Sequence, residues 1–465
     1  MLAMDITVLE QHFALLKPLL PDTASNEAAA YMLFGASDIT FDPWSGIPRL
    51  RLVSHKVIEI PATDQISASP VHVKWSTRSF MRLLGDAAIA GKIPAIVHTH
   101  PSDHAFFSEQ DDANERELAR TVHQKGLRGL VSIVLGGDGS ICGRIWTEPN
   151  KFILADTMQI VGGRYMRHGR APTVGSNRHY LDRQGRLFGL NFNDEMASLR
   201  VCIVGCGGTG SPVAMLLARL GVGHIFLVDN DVIDETNLNR VHGSRRQDIG
   251  RPKVEIIKRE IDAMGLGCHV EVAQKWINAA AVRDALKSSD FIFGCTDDNS
   301  GRILINRLAF FYGIPVIDVG LRMIAVSERQ GHDLNGRVTT LTPGRPCLVC
   351  SGVINPARAH EEELERNQPD EFQRRKAEAY VVGAEDPAPA VVTFTTEMAA
   401  VAVDEMIAAV TGFHGSEGMI PSRVRRWHAR DDRFLSVKSR EHCPVCQSDE
   451  AGGAGDVEPF LDIVG

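Results

Sequence analysis

The chain has 465 residues, of which 44% are hydrophobic and 23% charged, and a formal net charge of −8. This length allows two or three domains, and the composition is typical of a globular protein. The acidic balance argues against a nucleic-acid binder, and no apolar run is long enough to span a bilayer. Nine cysteines, including two Cys-x-x-Cys pairs, favour a reducing, cytoplasmic location over a disulfide scaffold.

Residues 1–150 predict a mixed α/β domain. The chain begins with apolar residues at helical spacing and no basic segment, which predicts a surface helix rather than a signal peptide. The period of the apolar residues predicts strands at 28–34, 49–60 and 93–100, helices at 75–90 and 108–124, and a hairpin of strands at 127–135 and 140–146.

Two histidines and an aspartate in this domain have the spacing of a metal site. His98 and His100 are two residues apart on a predicted strand, so both imidazoles face one side. Asp111, in the first turn of the next helix, adds an oxygen ligand, and three protein ligands leave a fourth zinc position for water. Glu27, just before a strand, is the candidate proton carrier, and Ser108 is the candidate to stabilise a tetrahedral intermediate.

A simpler interpretation treats each part separately. Ser108-x-x-Asp111 also fits a helix capping box, and the two histidines also fit ordinary strand residues. Together, the upstream Glu, His-x-His-Pro and Ser-x-x-Asp resemble the signature of the JAMM (MPN+, Mov34-like) metallopeptidases over about residues 5–150. The resemblance implies cleavage of isopeptide or peptide bonds after a ubiquitin-like tail. It implies Glu27 as general acid/base, His98, His100 and Asp111 as ligands of a catalytic zinc, and Ser108 at the oxyanion.

The boundaries of a second domain follow from composition. Residues 151–178 are predicted to be a linker, because they are basic, contain Gly and Pro and show no clear period. The domain predicted at 179–450 begins with Asp-Arg-Gln and a helix at 193–199. The tail at 451–465 is Gly-rich and then acidic, which predicts a flexible segment.

A glycine-rich stretch organises the second domain. An apolar run at 201–204 predicts a buried strand, a helical pattern follows at 213–220, and a strand at 224–228 ends at Asp229. This order is that of a mononucleotide-binding βαβ unit, in which glycines let the backbone approach phosphate and Asp229 accepts from a ribose hydroxyl. The glycines after the first strand are Gly205, Gly207, Gly208 and Gly210.

Polar residues further along distinguish this unit from a nicotinamide-dependent dehydrogenase. A second acid, an amide and two cations have no task in hydride transfer, but they suit an enzyme that handles a triphosphate. These residues are Asp231, Asn237, Arg240 and Lys253. Asp297 follows a strand predicted at 291–294, and a carboxylate at a strand end among phosphate ligands predicts a Mg²⁺ site.

Six motifs in this order resemble the ThiF/MoeB and ubiquitin-activating enzyme superfamily over about residues 178–447. They are the upstream Asp-Arg-Gln, GCGGTG, Asp-x-Asp, Asn-Leu-Asn-Arg, Gly-x-x-Lys and Thr-Asp-Asp-Asn. The resemblance implies a Rossmann-like domain that uses ATP and Mg²⁺ to adenylate the C-terminal carboxylate of a ubiquitin-like or sulfur-carrier protein. Arg240, Lys253 and Mg²⁺ offset the charge on phosphorus. The family also implies a homodimer in which Arg183 reaches across to the ATP; a surface arginine before a helix is the alternative.

Two cysteine pairs predict a structural zinc site, because four thiolates close a tetrahedral shell. They are Cys347 with Cys350 and Cys443 with Cys446, and two unrelated redox pairs are the alternative. The stretches 355–389, 393–410 and 424–436 predict a short solvated helix, an amphipathic helix and paired strands. No cysteine lies between Cys350 and Cys443, where many activating enzymes carry a thioester cysteine. The chain therefore stops at the acyl-adenylate or passes its carrier to a thiol on a partner, such as a conjugating-enzyme-like protein.

The sequence thus predicts an α/β enzyme with two catalytic halves. One half is a zinc-dependent (iso)peptidase that trims or deconjugates a ubiquitin-like protein, and the other adenylates its C-terminus for a bacterial-type conjugation pathway. Two alternatives remain: sulfur-carrier activation for thiocarboxylate biosynthesis, with the first half maturing the carrier tail, and a non-catalytic scaffold that binds ubiquitin-like tails.

Overall fold

The computed structural model describes residues 2–20, 26–70, 72–101, 104–169, 179–189, 191–325, 332–377, 390–448 and 451–462. Two large mixed α/β units, each built on a sheet with its own apolar core, make up this part of the chain. Within it, no helix combines the length and the apolar character that crossing a membrane requires.

The N-terminal domain is built on a sheet with nine described strands in the order β11-β10-β1-β3-β2-β6-β7-β8-β9, beside a separate β4–β5 hairpin. Its elements are β1 (Ala3–Leu9), α1 (Glu10–Leu19), β2 (Ala29–Ile39), β3 (Arg49–Ile58), β4 (Gln65–Ser69), β5 (His72–Trp75), α2 (Thr77–Ala90), β6 (Ile93–His100), α3 (Glu109–Gln124), β7 (Leu130–Gly136), β8 (Ile141–Glu148), β9 (Lys151–Leu154), β10 (Thr157–Val161) and β11 (Tyr165–Gly169).

The predicted N-terminal surface helix is wrong for residues 3–9, which form β1 inside the sheet. β1 is buried along its whole length and pairs in parallel with both β3 and β10. Met4, Ile6 and Val8 alternate with polar residues and pack into the core of the domain, which is the period of a strand. A helix begins only at Glu10.

The predicted linker is also wrong for residues 151–169, which form β9, β10 and β11. β10 is buried at every position, because its short apolar run fits between β1 and β11. The ring centroid of Tyr165 on β11 lies 4.8 Å from that of Phe291 in the second domain. The basic residues around these short strands mask their pattern in the sequence. Residues 170–178 of the predicted linker lie outside the described residues.

The C-terminal domain is built on a sheet with eight described strands in the order β14-β13-β12-β15-β16-β17-β18-β19. Its elements are α4 (Asp182–Phe188), α5 (Phe192–Ser198), β12 (Arg200–Val204), α6 (Gly210–Leu220), β13 (His224–Val228), α7 (Lys253–Met264), β14 (His269–Ala273), α8 (Arg283–Lys287), β15 (Phe291–Gly294), α9 (Asn299–Phe311), β16 (Val316–Ala325), β17 (His332–Leu341), α10 (Pro356–Asn367), α11 (Pro369–Ala377), α12 (Val392–Thr411), β18 (Ser422–Arg426) and β19 (Asp431–Phe434).

The parallel part of this sheet runs from β14 to β16, and β17–β19 extend it in antiparallel fashion. One apolar cluster packs α6, α7 and α12 on one face, and a second packs α9 on the other. The glycine-rich βαβ unit predicted from the sequence is confirmed as β12–α6–β13. The fold is therefore the doubly covered α/β arrangement expected of a Rossmann-like domain.

The predicted flexible tail is wrong for residues 451–462, which we call the C-terminal strap. Ala451, Ala454 and Leu461 are buried in it. A Cβ atom at Gly35 on β2 would lie 2.2 Å from the carbonyl oxygen of Gly453, so the two backbones touch. The glycines of the strap permit this close packing, whereas in the sequence they suggest flexibility. Residues 449–450 and 463–465 lie outside the described part.

The two domains meet at the amino edge of the C-terminal sheet, where its parallel strands begin. The Arg51 guanidinium donates to the carbonyl oxygen of Ser289 at 2.6 Å, and the Gln159 amide donates to Asp290 Oδ1 at 2.9 Å. The backbone N–H of Arg200, the first residue of β12, donates to the other oxygen of Asp290 at 2.9 Å. These buried, mutually paired groups leave the carboxyl edge of the same sheet open for a ligand.

Candidate functional sites

The first site lies where β6 ends beside the start of β2. His98 and His100 are both buried on β6, and their ring centroids are 5.1 Å apart. Antiparallel pairing sets Ala29 opposite His98, so Glu27 falls opposite His100. The distance from Glu27 Oε1 to His100 Nε2 is 3.8 Å. The strand register thus brings together residues 71 or more positions apart in the sequence.

Asp111 completes a cluster that fits a metal ion. Its Oδ1 lies 3.3 Å from His98 Nε2 and its Oδ2 lies 3.6 Å from His100 Nε2. One ligand atom from each residue falls within a group no wider than 4.8 Å. His98 Nε2 is buried, and its 3.3 Å contact with Asp111 Oδ1 does not have hydrogen-bond geometry, so an ion would complete its coordination. Although burial opposes ionisation, the neighbouring imidazoles of His100 and His98 hold the pKa of Asp111 well below its usual range.

Ser108 caps the helix that carries Asp111. Its Oγ accepts from the Asp111 N–H at 3.1 Å, and Asp111 Oδ2 accepts from the Ser108 N–H at 2.8 Å. The capping box is therefore present, and it does not conflict with the metal site. The cap fixes Oδ2 of Asp111 and turns Oδ1 toward His98. The oxyanion role of Ser108 stays a prediction.

The second site is a cavity of about 1060 Å³ at the carboxyl edge of the second sheet. Gly205 has φ +90°, and a Cβ atom there would lie 2.7 Å from the carbonyl carbon of Cys295. A Cβ atom at Gly210 would lie 1.8 Å from the Gly205 oxygen, so neither position has room for a side chain. The predicted residues that line the cavity are Gly205, Gly207, Gly208, Asp229, Asp231, Arg240, Lys253 and Asp297.

Asp229 ties the end of β13 to the glycine loop. Its Oδ2 accepts from the Cys206 N–H at 2.6 Å and its Oδ1 from the Asp231 N–H at 2.8 Å. Burial raises the pKa of Asp229, and the nearby Lys253 ammonium opposes that rise. Lys253 Nζ lies 2.8 Å from Asp231 Oδ2. Each carboxylate oxygen keeps a further lone pair, so Asp229 can still accept from a hydroxyl in the cavity.

Three predicted residues do not line the cavity. Gly210 is buried where α6 begins. Asn237 is buried and closes a turn, in which its N–H donates to Asp234 Oδ1 at 3.1 Å and its side-chain oxygen accepts from the Asp234 N–H at 3.4 Å. Arg183 is exposed on α4, away from the cavity of its own chain.

Asp318 and Arg337 are site residues that the sequence does not indicate. Asp318 is fully buried on β16, and its Oδ1 accepts from Arg302 Nε at 3.2 Å. Its other oxygen pairs with Arg337. Arg302 also donates to the Asp297 carbonyl at 3.3 Å and lines the cavity, so this network fixes a cation at its wall. The available signal was a charged residue inside the otherwise apolar stretch 316–319.

The short helix predicted to be solvated in the stretch 355–389, which we call the crossover segment, instead packs against the cavity as α10. Glu362 Oε2 accepts from the N–H groups of Asn299 and Ser300, at 2.7 and 2.9 Å, at the start of α9. The guanidinium of Arg366 lies 3.8 Å from the ring centroid of Trp276. A carboxylate at a helix N-terminus is stabilised by free N–H groups and the helix dipole. Residues 378–389 lie outside the described part.

The four paired cysteines also come together. Cys347 Sγ lies 3.7 Å from Cys443 Sγ, and Cys350 Sγ lies 3.5 Å from Cys446 Sγ. A tetrahedral zinc with Zn–S bonds of about 2.3 Å requires S–S separations of about 3.8 Å. The N–H of Arg440 approaches Cys350 Sγ to 3.2 Å, as expected for a thiolate. The geometry fits zinc, and the bound ion stays a prediction.

The other cysteines of the C-terminal domain are poor nucleophiles where they are buried. Burial raises the pKa of Cys202 and Cys206 well above the ordinary range, and that of Cys295 to about 12. Because the thiolate is the reactive form, these side chains are inert near neutral pH. They do not replace the thioester cysteine that the crossover segment lacks.

The fold and the two sites define a two-domain α/β protein with a histidine–aspartate centre and a nucleotide-type cavity. Residues 181–447 match the ThiF family, and residues 10–148 match prokaryotic homologs of the JAB domain. The first match covers more than half of the chain, which therefore belongs to the ThiF family. The resemblance of both halves to known families is confirmed, and the chain joins a JAB domain to a ThiF domain.

Relatives of known name match the ThiF part. The chain is 30% identical over 187 residues to the SAMP-activating enzyme E1 of Haloferax volcanii, covering 40% of this chain and 60% of that protein. It is 26% identical over 264 residues to the sulfur carrier protein ThiS adenylyltransferase of Escherichia coli, covering 56% of this chain and 91% of that protein. A crystal structure of Escherichia coli MccB with ATP is similar at a TM-score of 0.44 and 21% identity, over 58% of this chain and 75% of that one.

Proposed function

We propose that the chain is a bifunctional enzyme that acts on a ubiquitin-like protein. The JAB domain trims or deconjugates the carrier, and the ThiF domain adenylates its C-terminus for a conjugation pathway. The observation that carries the proposal is that the groups needed for each reaction converge at a site of their own within one chain.

In the JAB domain, His98, His100 and Asp111 would hold the zinc ion. Zinc, when bound, supplies a Lewis acid and makes water nucleophilic near neutral pH. Glu27 lies 3.8 Å from His100, close enough to take a proton from the attacking water and return it to the leaving amine. Ser108 holds Asp111 in place through the capping box, and its hydroxyl, which now donates to Asp111 Oδ2 at 2.6 Å, would turn to donate to the oxyanion.

In the ThiF domain, the carrier carboxylate attacks the α-phosphorus of ATP. An oxygen–phosphorus bond forms, the bond to pyrophosphate breaks, and no base is needed because the carboxylate is already ionised. The amides of the glycine loop and α6 hold phosphate, and Asp297 would hold Mg²⁺. Arg240 and Lys253 offset the charge that develops on phosphorus.

The proposal includes a homodimer and an acceptor protein. Arg183 is exposed on α4 and does not line the cavity of its own chain, which supports a role across a dimer. The raised pKa values of the buried cysteines support transfer of the activated carrier to a thiol of another protein, such as a conjugating-enzyme-like partner.

A second candidate is activation of a sulfur carrier for thiocarboxylate biosynthesis, with the JAB domain maturing the tail. It is supported by the match to the ThiS adenylyltransferase, 91% of which is covered. The two candidates differ in the reaction that consumes the acyl-adenylate. A sulfurtransferase partner would yield a carrier whose terminal oxygen is replaced by sulfur, whereas a conjugating partner would yield an isopeptide.

Intact mass spectrometry tests the proposal. A candidate ubiquitin-like or sulfur-carrier protein is made with its full tail and incubated with the zinc-loaded enzyme, with and without ATP and Mg²⁺. We expect tail loss under both conditions and addition of AMP only with ATP. Asp297→Asn should abolish AMP addition and pyrophosphate exchange. A carrier that is bound but neither shortened nor adenylated would favour the scaffold alternative.

A further inference from the structure

The JAB site lies at the end of its sheet that is remote from the ThiF domain. His98 pairs with Ala29 at the first position of β2. Among the contacts with the rest of the chain are two at the far end of β2: Asp456 of the strap accepts from the Asp38 N–H at 2.8 Å, and Asp284 accepts from the hydroxyl of Thr40, just after β2, at 2.6 Å. Ala29 and Asp38 are nine positions apart, which corresponds to roughly 30 Å of strand.

The adenylation cavity is also turned away from the domain interface. Arg200, His224 and Asp290 stand at or just before the first residues of β12, β13 and β15, on the edge that faces the JAB domain. The cavity is lined by residues at the opposite ends of these strands, beginning with Val204 and Val228. β12 has five residues, so roughly 15 Å of parallel sheet separates the interface from the cavity.

Each site therefore lies away from the contacts between the domains, by roughly 30 Å along β2 for the JAB site and roughly 15 Å along β12 for the cavity. An extended tail would need roughly nine residues to cover the first of these lengths alone. At the interface between the domains, buried polar groups are hydrogen-bonded to one another, as Arg51 is to the Ser289 carbonyl and Gln159 to Asp290. A cavity of about 890 Å³ lies beside them, and neither His98 nor the glycine loop lines it.

We infer that the two sites of one chain work on separately bound carriers. This inference rests on the proposed function and concerns the order of its steps. The carrier that the JAB site shortens dissociates with its new C-terminus free, and it enters the adenylation cavity in a second binding event. Hydrolysis of the tail is complete at release: one peptide bond and one water become a carboxylate and an amine. Trimmed carrier is consequently a free intermediate, and any copy of the enzyme can adenylate it.

Isotope dilution tests this inference with the unaltered enzyme. The carrier identified by the mass-spectrometric experiment is prepared in two forms, an isotope-labelled one with its tail and an unlabelled one already trimmed. Both are added together with ATP and Mg²⁺, the trimmed form in about tenfold excess, and the labelled and unlabelled adenylates are measured in the first turnovers. If the trimmed carrier is released into solution, labelled adenylate should fall by about tenfold. The reason is that a released carrier gains no effective concentration at the adenylation cavity.

Undiminished formation of labelled adenylate would overturn the inference and show direct transfer, either within a chain or across a dimer. The control is the labelled carrier alone. If that carrier is neither shortened nor adenylated, the proposed function itself fails, and this outcome is distinct because it is seen before any competitor is added.

Discussion

The position of Glu27 is set by strand register. Antiparallel pairing of β2 with β6 brings it to 3.8 Å from His100, although β3, β4, β5 and α2 lie between them in the sequence. Both side chains are buried, so the Glu27 carboxylate is held beside the cluster of His98, His100 and Asp111. A carboxylate positioned in this way can accept and return a proton, which is the task proposed for it.

We expect Glu27→Gln to slow tail removal by at least about 100-fold, because the amide cannot accept the proton. Cleavage of the tailed carrier is followed by mass spectrometry, and the melting temperature checks that the fold is kept. Glu109→Gln makes the same chemical change at an exposed position near the site and should leave cleavage unaffected. Full cleavage by the Glu27 variant would remove this residue from the mechanism.

A buried histidine should make stability depend on pH. Burial, together with the neighbouring His55, lowers the pKa of His12 to about 4, below its ordinary value of 6.5. The unfolded chain therefore binds a proton between these two values while the folded chain does not. Stability is retained above pH 6.5 and is lost as the pH falls toward 4.

Between pH 7 and pH 5 we expect His12 to contribute a loss of about 2 kcal/mol in the free energy of unfolding. His12→Asn, which keeps an acceptor near Ser54, should flatten this dependence in urea titrations at several pH values. His442→Gln alters a histidine whose side chain is 92% exposed and should leave the dependence unchanged. An equally steep dependence in both variants would contradict the assignment.

Residues that act through local spacing could be predicted, and residues that act through distant pairing could not. His98 and His100 were predictable because strand alternation is a property of neighbouring positions. Asp318 meets Arg302 and Arg337 across 16 and 19 positions, respectively, and only the packing of α9 and β17 against β16 brings them together. A sequence shows a lone acid in an apolar strand but not its partners.

At the scale of elements, the four-cysteine site fastens the segment after β19 to the segment after β17. Cys347 and Cys443 are buried beside the apolar cluster that also holds α9 and the strap. Metal binding would therefore support the packing of the C-terminal segment as well as the local turn.

We expect Cys443→Ser to lose one zinc per chain and at least about 2 kcal/mol of stability. Elemental analysis measures the metal, and thermal unfolding before and after chelation measures the stability. Cys268→Ser is the matched control, because Cys268 lies outside the cluster and is partly exposed. Unchanged zinc content in the Cys443 variant would argue for two separate redox pairs.

Element type was readable where one period dominates, as in β13, whose bounds agree with the prediction. It was misread at β1, because the short alternation of apolar and polar residues in this strand runs directly into the helical pattern that begins at Glu10. The packing of α10 against the start of α9 also could not be predicted from the sequence. Its charged residues have the same pattern whether the helix is solvated or, as here, inserts Glu362 at the start of α9.

At the scale of the whole molecule, the C-terminal strap joins the two domains. Asp456 accepts from the Asp38 N–H at 2.8 Å and from the Tyr312 hydroxyl at 2.9 Å, and its carboxylate lies 3.2 Å from Lys287 Nζ. The composition of this segment predicted flexibility, because the partners that order it belong to both domains and are remote in sequence.

We expect Asp456→Ala to lower the free energy of unfolding by about 2 kcal/mol, since it leaves Lys287 and Tyr312 without their shared acceptor. Asp462→Ala removes a carboxylate of the same strap that lies 3.6 Å from Arg307 and is 68% exposed, and should cost much less. Urea unfolding of the full chain compares the two. Equal effects would mean that the strap does not hold the domains through Asp456.

The central place of β1 has a practical consequence for anyone who separates the domains. A fragment that stops at residue 148 or 150 would lack β10, leaving one side of β1 without a neighbour and inviting association between molecules. Nascent chains meet the same condition, because β1 leaves the ribosome before β10 and can complete its pairing only after residue 161 has followed it. Expression of the isolated N-terminal domain should therefore extend at least to Gly169.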